Sequence, residues 1–240
     1  YIYLQHNPVS STMIYNSSAF DSFDAVQAVN IYQYNDMKEI ICKKELKTKV
    51  FKSRYLFLKN QSKKNINQLP STDLIIAPSW NSGFYKLQCH TLLKKFLSES
   101  SISYKFRPHP MSLKKKEISI YDLEKLGMSI DMENSINFYK YNFLISDWSG
   151  IFLEYAWIFK RRAFLINTPK KILNKSYLNY KNRPVEITLR NVLGKTYEVE
   201  NIQNIISEIQ ILKRELKEKN KISECESVKK EIKENFFTEL

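Results

Sequence analysis

The chain has 240 residues, 43% of them hydrophobic, enough to bury the core of one large or two small domains and to exclude global disorder. No apolar run approaches the ~20 residues of a membrane span, and three scattered cysteines (Cys42, Cys89, Cys225) lack metal-ligand or disulfide spacing, which points to a reducing compartment. The net charge of +13 admits nucleic acid, an anionic membrane or a phosphorylated substrate, but the basic residues form only small clusters, such as Lys114 to Lys116 and Lys170-Lys171, with no recognition helix or zinc module, so nucleic acid is set aside.

In chain order, residues 1–4 read as the end of a buried strand, and an opening inside an apolar stretch suggests a piece of a longer protein. The strand delivers Gln5, His6, Asn7 and Pro8 into a loop. A histidine there is placed for proton transfer near neutral pH, or else bonds backbone in the loop. Ser10, Ser11 and Thr12 line a phosphate pocket or cap a helix. Residues 23–28 read as a strand and 34–49 as an increasingly basic helix. The polar, aperiodic stretch 59–73, with one proline, reads as a linker.

A strand at 74–77 ends in Pro78-Ser79-Trp80-Asn81-Ser82-Gly83, and a helix over 84–98 carries His90 at its surface or core edge. The strand 102–106 ends in Arg107-Pro108-His109-Pro110, where two prolines restrict the backbone and hold His109 stiffly. Arg107 offers a planar fork to phosphate, or is a salt-bridged arginine in a structural turn. A charged helix at 113–127, a short strand at 128–131 and a short helix at 134–139 follow.

Residues 141–169 then hold an apolar strand, the polar turn Ser146-Asp147-Trp148-Ser149-Gly150, a helix over 151–160 and a second apolar strand at 163–166. Alternating strands and helices from 74 to 166 predict a parallel, doubly wound sheet, whose ligands gather at the carboxyl ends of its strands. The turn sets hydroxyls at a helix N-terminus, which favours a phosphate, unless Asp147 or Ser149 merely caps the helix. Residues 182–185 read as a turn and 192–194 as a loop. The 201–216 segment is a helix with one apolar stripe. The Lys/Glu-rich tail to 235 reads as a solvated helix or a partner-facing or membrane-facing arm.

Pro-Ser-Trp, Arg-Pro-His-Pro, and Ser-Asp-Trp-Ser-Gly before an aromatic helix and Arg-Arg-Ala-Phe-Leu-Ile-Asn-Thr-Pro resemble, in that order, the CDP-glycerol glycerophosphotransferase family of teichoic-acid and capsule-type polymer synthesis. The resemblance spans roughly residues 1–200. The family has Tyr and Ser where this chain has Trp148 and Gly150, Phe-Asp where it has Leu153-Glu154, and Arg-Pro where it has Arg162-Ala163.

The resemblance implies an α/β, GT-B-like fold of two Rossmann-type parallel-sheet domains, the first truncated. Residues 1–58 would belong to the acceptor-side domain, 59–73 to the linker, 74–200 to the nucleotide-donor domain and 201–240 to a charged helical segment. It implies His6 as catalytic base and His109 as a phosphate-contacting or proton-sharing histidine. Arg107, Ser146, Ser149, Gly150, Ser79 and Trp80 would hold the donor. Glu154 would accept from ribose or cytosine, or is simply an exposed helix residue, and Asp147 would orient the turn.

The implied reaction moves a polyol-phosphate unit from a CDP-activated donor to a polymer or lipid-linked acceptor, with no metal or cofactor. It would run in the cytoplasm, peripherally on the inner face of the cell membrane. A GT-B glycosyltransferase using a nucleotide-sugar donor is the alternative, and a basic binding module without catalysis a third.

Overall fold

The computed structural model describes residues 1–62, 70–219 and 222–237. Its strands form two sheets, parallel throughout. The smaller is β1 (Ile2–Tyr3), β2 (Ala25–Ala28) and β3 (Lys49–Lys52), in that order. The larger comprises β4 (Thr72–Ile76), β5 (Tyr104–Phe106), β6 (Tyr141–Ser146), β7 (Ala163–Ile166) and β8 (Gly194–Tyr197), ordered β5-β4-β6-β7-β8. The expected α/β class with two Rossmann-type parallel sheets is the fold adopted. The chain steps from β4 outward to β5 and then crosses to β6 on the other side. The carboxyl ends of β4 and β6 therefore flank a topological switch point, where open sheets of this kind leave a crevice.

Strands buried on both faces need apolar residues at every position, and the central strands of the larger sheet supply them. Ile75, Leu144 and Leu165 point into one core, while Leu74, Ile76, Phe143, Ile145, Phe164 and Ile166 point into the other. The first core is closed by α6 (Ile151–Phe159), α8 (Arg190–Leu193) and α10 (Glu226–Asn235). The second is closed by α3 (Cys89–Ser98) and α9 (Ile202–Lys219), whose stripe buries Ile202, Ile205, Ile206 and Ile209. A third core, Phe20, Val26, Met37 and Ile40, lies between the smaller sheet and α1 (Ile31–Lys44).

Several elements differ from expectation. α1 starts earlier, capped by the Asn30 side chain, and stops at Glu45, which is left-handed (φ 52°), so 49–52 is free to form β3 beside β2. The linker expected at 59–73 is helical as far as Ser62 in α2 (Leu56–Ser62) and is strand again from Thr72, while 63–69 lie outside the described residues. The helix expected over 113–127 is two, α4 (Pro110–Lys114) and α5 (Ile120–Lys125), separated by a left-handed Lys116 (φ 57°) and the capping Ser119. The strand at 128–131 is a single bridge from Ile130 to Phe106, and the helix at 134–139 is a 3-10 turn, Phe138–Lys140. The turn expected at 182–185 runs to Pro184, where α7 (Val185–Thr188) begins, and the end of α8 with the start of β8 stands where a loop was expected at 192–194.

The tail is not a free arm. α10 buries Val228 and Ile232, Phe236 packs edge-on against Trp157 with ring centroids 4.7 Å apart, and Phe237 N–H bonds the Val29 carbonyl beside the smaller sheet.

The loop after β1 fastens the smaller sheet to the larger. Ser10 N–H donates to Glu186 Oε1 (3.0 Å), Ser11 N–H to Asp36 Oδ2 (2.9 Å), and the Met13 carbonyl accepts from Leu173 and Asn174 N–H. Burial pushes the Asp36 carboxyl up to about 8, with Glu186 nearby adding to the rise, and burial also raises Glu186. Each group holds its proton more tightly folded than unfolded, so its contribution is full below the unfolded value and lost as pH rises through the folded one. Stability is expected to fall by on the order of 1–2 kcal/mol between pH 6.5 and 8, a few degrees in thermal midpoint. Asp36→Asn should flatten that slope; a slope as steep in the variant as in the parent would remove Asp36 as its source.

Candidate functional site

At the switch point the chain leaves β6 through Asp147 to Gly150 and enters α6. Asp147 is fully buried. Its Oδ1 accepts from Ser79 N–H (2.7 Å), and its Oδ2 from the hydroxyls of Ser82 and, at 3.4 Å, Thr168. Burial pushes its carboxyl up, opposed by those hydrogen bonds. Its backbone carbonyl accepts from Arg190 Nη1 (2.7 Å), while Nη2 reaches the Ile166 carbonyl (2.9 Å). The guanidinium carbon lies 4.0 Å from the centroid of Trp148, whose indole N–H donates to the Thr168 carbonyl (2.6 Å). Side chains from the loops after β4 and β7, and one from α8, thus fix the turn.

The turn presents the start of α6 to a cavity of about 190 Å³, lined by Asn7, His109, Ser149, Gly150, Glu154 and Lys171 among others. Among the described residues, the backbone N–H groups of Ser149, Gly150 and Ile151 find no backbone acceptor. They leave the positive end of the helix dipole facing the cavity.

His109 caps α4: its Nδ1 accepts from Met111 N–H (3.0 Å). The neutral ring therefore carries its proton on Nε2. Burial, with the charges of Lys171 and Arg107, holds its pKa down at about 4, so near neutral pH His109 is a hydrogen-bond donor and not a base.

Lys171 is buried, its Nζ 5.2 Å from the Trp80 ring centroid. Burial lowers its pKa, opposed by Asp147, Glu186 and Glu117, none of which comes within ion-pair reach.

Glu154 keeps part of its surface on the cavity, but its carboxyl lies deep in the protein and burial raises it to about 7. The Tyr55 hydroxyl is 2.7 Å from Glu154 Oε1 and 2.6 Å from the His6 carbonyl oxygen. The hydroxyl is the donor to both acceptors in turn, and its bond to Glu154 opposes the rise that burial imposes on the carboxyl.

The structure brings together His109, Ser149, Gly150 and Glu154, with Trp80 behind Lys171, its ring centroid 6.4 Å from that of His109. It does not bring in four others. Ser146 is buried and its hydroxyl is spent on the Ala77 carbonyl (2.7 Å), so it has no proton to offer a phosphate. Arg107 is turned to Asp131 (3.0 Å), the salt-bridged alternative. His6 is exposed, its Nδ1 3.0 Å from the Tyr3 hydroxyl and its pKa lowered by partial burial; its neighbour Asn7 takes the place on the cavity wall. Ser79 is buried and serves Asp147 through its backbone.

Gly150 has a steric reason: a Cβ there would lie 2.4 Å from Val9 Cγ1, so the loop from the smaller sheet packs over the turn only if no side chain is present. Lys171, Tyr55 and Arg190 were not singled out by the sequence. Lys171 figured in the sequence only as part of the basic pair Lys170-Lys171 in the loop after β7.

Fold and site together define a two-sheet parallel α/β protein with a small cavity at its switch point, lined by His109, Ser149 and Lys171. No protein-family model matches the chain, and no curated protein does. Among solved structures it is similar to UDP-N-acetylglucosamine 2-epimerase from Rickettsia bellii, at 14% identity and a TM-score of 0.36. The similarity covers 88% of this chain and 62% of that one, so the chain spans less than two thirds of that enzyme's length.

Proposed function

We propose that the chain is part of a transferase that moves a glycerol-phosphate or related polyol-phosphate unit from a CDP-activated donor to a hydroxyl of a growing cell-surface polymer. The observation that carries this is the convergence on one cavity of an ammonium with no carboxylate within ion-pair reach (Lys171), a neutral imidazole donor (His109), a hydroxyl (Ser149) and the open N-terminus of α6. All four favour a phosphate, and none except the lysine requires a net charge of its own. Two of the motifs that carry the resemblance, Arg-Pro-His-Pro and Ser-Asp-Trp-Ser-Gly, contribute directly, and the third supplies Trp80.

In the proposed reaction the acceptor hydroxyl oxygen attacks the donor's β-phosphorus, the bond to the bridging oxygen breaks, and CMP leaves with that electron pair. Lys171, His109 and the helix N–H groups meet the charge that gathers on the phosphates, preorganised donors of the kind that often supply the larger share of catalysis. The hydroxyl proton needs an acceptor. His6 fills that role in the family resemblance. Glu154, which lines the cavity and whose carboxyl burial raises to about 7, is the second candidate for it once deprotonated. A nucleotide-sugar glycosyltransferase would use the same phosphate donors with carbon as the centre attacked. Peripheral attachment to a membrane through a lipid-linked acceptor belongs to this proposal too; among the described residues no helix is long and apolar enough to cross one.

A thermal-shift series with CMP, CDP-glycerol, CDP-ribitol, UDP and UDP-glucose tests the reading. A ligand at about 100 times its Kd adds about 2.7 kcal/mol, a shift of several degrees. Shifts with the cytidine ligands alone are expected. Equal shifts with uridine ligands would replace the cytidine assignment with the nucleotide-sugar one, and none at all would end both.

A further inference from the structure

A second cavity opens on the same rim of the larger sheet, at the carboxyl end of β4. Its volume is about 770 Å³, four times that of the phosphate cavity and within the ~300–1,000 Å³ usual for ligand sites. Lys86, Lys115 and Lys116 line it, all exposed, and among the described residues none of their ammonium groups has a carboxylate within ion-pair reach. The one carboxylate on the wall, Glu117, is already engaged at both oxygens: Oε1 accepts from Asn81 N–H (2.9 Å) and Oε2 from the Ser112 hydroxyl (2.9 Å). The cavity thus presents three cations against one anion, and no free carboxylate to accept from ribose hydroxyls or a base amino group.

The indole of Trp80 forms part of this wall and stands next to Lys171 and His109, which line the smaller cavity. The two cavities are neighbours across one side chain. The rim is held in backbone conformations that L-residues avoid: Asn81 (φ 58°) and Lys116 (φ 57°) are left-handed, each at a cost on the order of 1 kcal/mol. Gly83 (φ 77°) lies against Pro169, where an added Cβ would meet the ring at 3.1 Å. The left-handed residue at 116 ends α4 and turns the chain at the point where two of the three lysines stand.

We propose that this larger cavity binds a linear polyanion, with Lys86, Lys115 and Lys116 spaced along its phosphate groups and Trp80 marking the boundary with the phosphate cavity. That the polyanion is the acceptor polymer, its growing end directed to the smaller cavity, rests on the transferase reading. The anion site itself does not. A bare nucleoside is disfavoured because it carries no charge for the three lysines to meet.

The probe is short-chain inorganic polyphosphate, titrated calorimetrically against the parent, against Lys86→Gln/Lys115→Gln/Lys116→Gln, and against Lys217→Gln/Lys230→Gln/Lys233→Gln, which removes three exposed lysines of α9 and α10. The first variant should bind at least ~10-fold more weakly, with a shallower dependence on salt, since exposed charges are screened over about 8–10 Å at ordinary ionic strength. The second should bind as the parent does. Equal loss in both variants, or none in the first, overturns the site. A CMP shift measured on the same proteins separates the two readings. CMP protection retained in the first variant agrees with the proposal. Its loss together with polyphosphate binding would make the cavity a nucleotide site and overturn it. Polyphosphate binding that depends on the three lysines in a protein that CMP never protects would leave this site standing and remove the transferase reading.

Discussion

Lys171→Met is expected to weaken CMP or CDP-glycerol binding by about 10- to 100-fold while leaving the thermal midpoint unchanged or slightly raised. A hydrogen bond from a charged group contributes ~1.5–3 kcal/mol, which sets the binding loss. The stability effect has the opposite sign because the Lys171 side chain is mostly buried with no carboxylate within ion-pair reach, and burial depresses its pKa. A desolvated cation without a partner costs folding free energy, and a methionine of similar length removes that cost while keeping contact with the Trp80 ring. Thermal melts with and without nucleotide measure both quantities on one sample. A variant that melts well below the parent would show Lys171 to be a structural prop, and one that binds nucleotide as the parent does would take the phosphate out of this cavity.

Much of the larger sheet was legible because its interior strands must be apolar on both sides. Leu74-Ile75-Ile76, Phe143-Leu144-Ile145 and Ala163 to Ile166 are continuous runs for that reason, and β6-turn-α6-β7 was placed within a residue or two. Edge strands were harder. β3, with lysines at both ends, and β8, begun by a glycine between short helices, each pair on one side only and carry polar residues that resemble helix end or loop. α10 was taken as solvated since only Val228, Ile232 and the following Phe236 are apolar at helical spacing. They are enough to fasten it, since the surfaces they meet come from residues 29 and 157, distant in sequence.

The site was legible where a motif fixes its own geometry and obscure where partners come from afar. His109 between two prolines and Ser149 at a helix start could be singled out by local backbone rules. Ser146 could not be told from Ser149 by type. Only the strand end shows that one hydroxyl faces Ala77 and the other the cavity. Arg107 and Lys171 are both cations just beyond strand ends, and the presence of Asp131 beside one and of no carboxylate beside the other is a tertiary fact. Tyr55 and Glu154 are likewise 99 residues apart.

Arg190→Met should cost about 3–5 kcal/mol, a fall in thermal midpoint on the order of 10 °C for a chain of this length. The guanidinium is 6% exposed and donates at once to the carbonyls of Asp147 and Ile166, at the ends of adjacent strands, while stacking on Trp148. Methionine fills the volume but leaves the Asp147 carbonyl without a donor in a dry place, the costly half of losing a hydrogen bond, and the Ile166 carbonyl with Thr168 N–H alone. It also withdraws a positive charge near Asp147: burial lowers the Arg190 pKa, and the charges of Asp147 and Glu198 oppose that. Arg190→Lys should recover little of the loss, because one ammonium on a flexible stem cannot reproduce a planar fork spanning two carbonyls and an indole face. With the turn released, the α6 N–H groups and Ser149 lose their fixed aim, so nucleotide protection should vanish in the variant even at temperatures where it remains folded. A midpoint within about 2 °C of the parent, or full rescue by lysine, would show that the turn stands without this arginine, and the organisation of the site would then have to come from Asp147 alone.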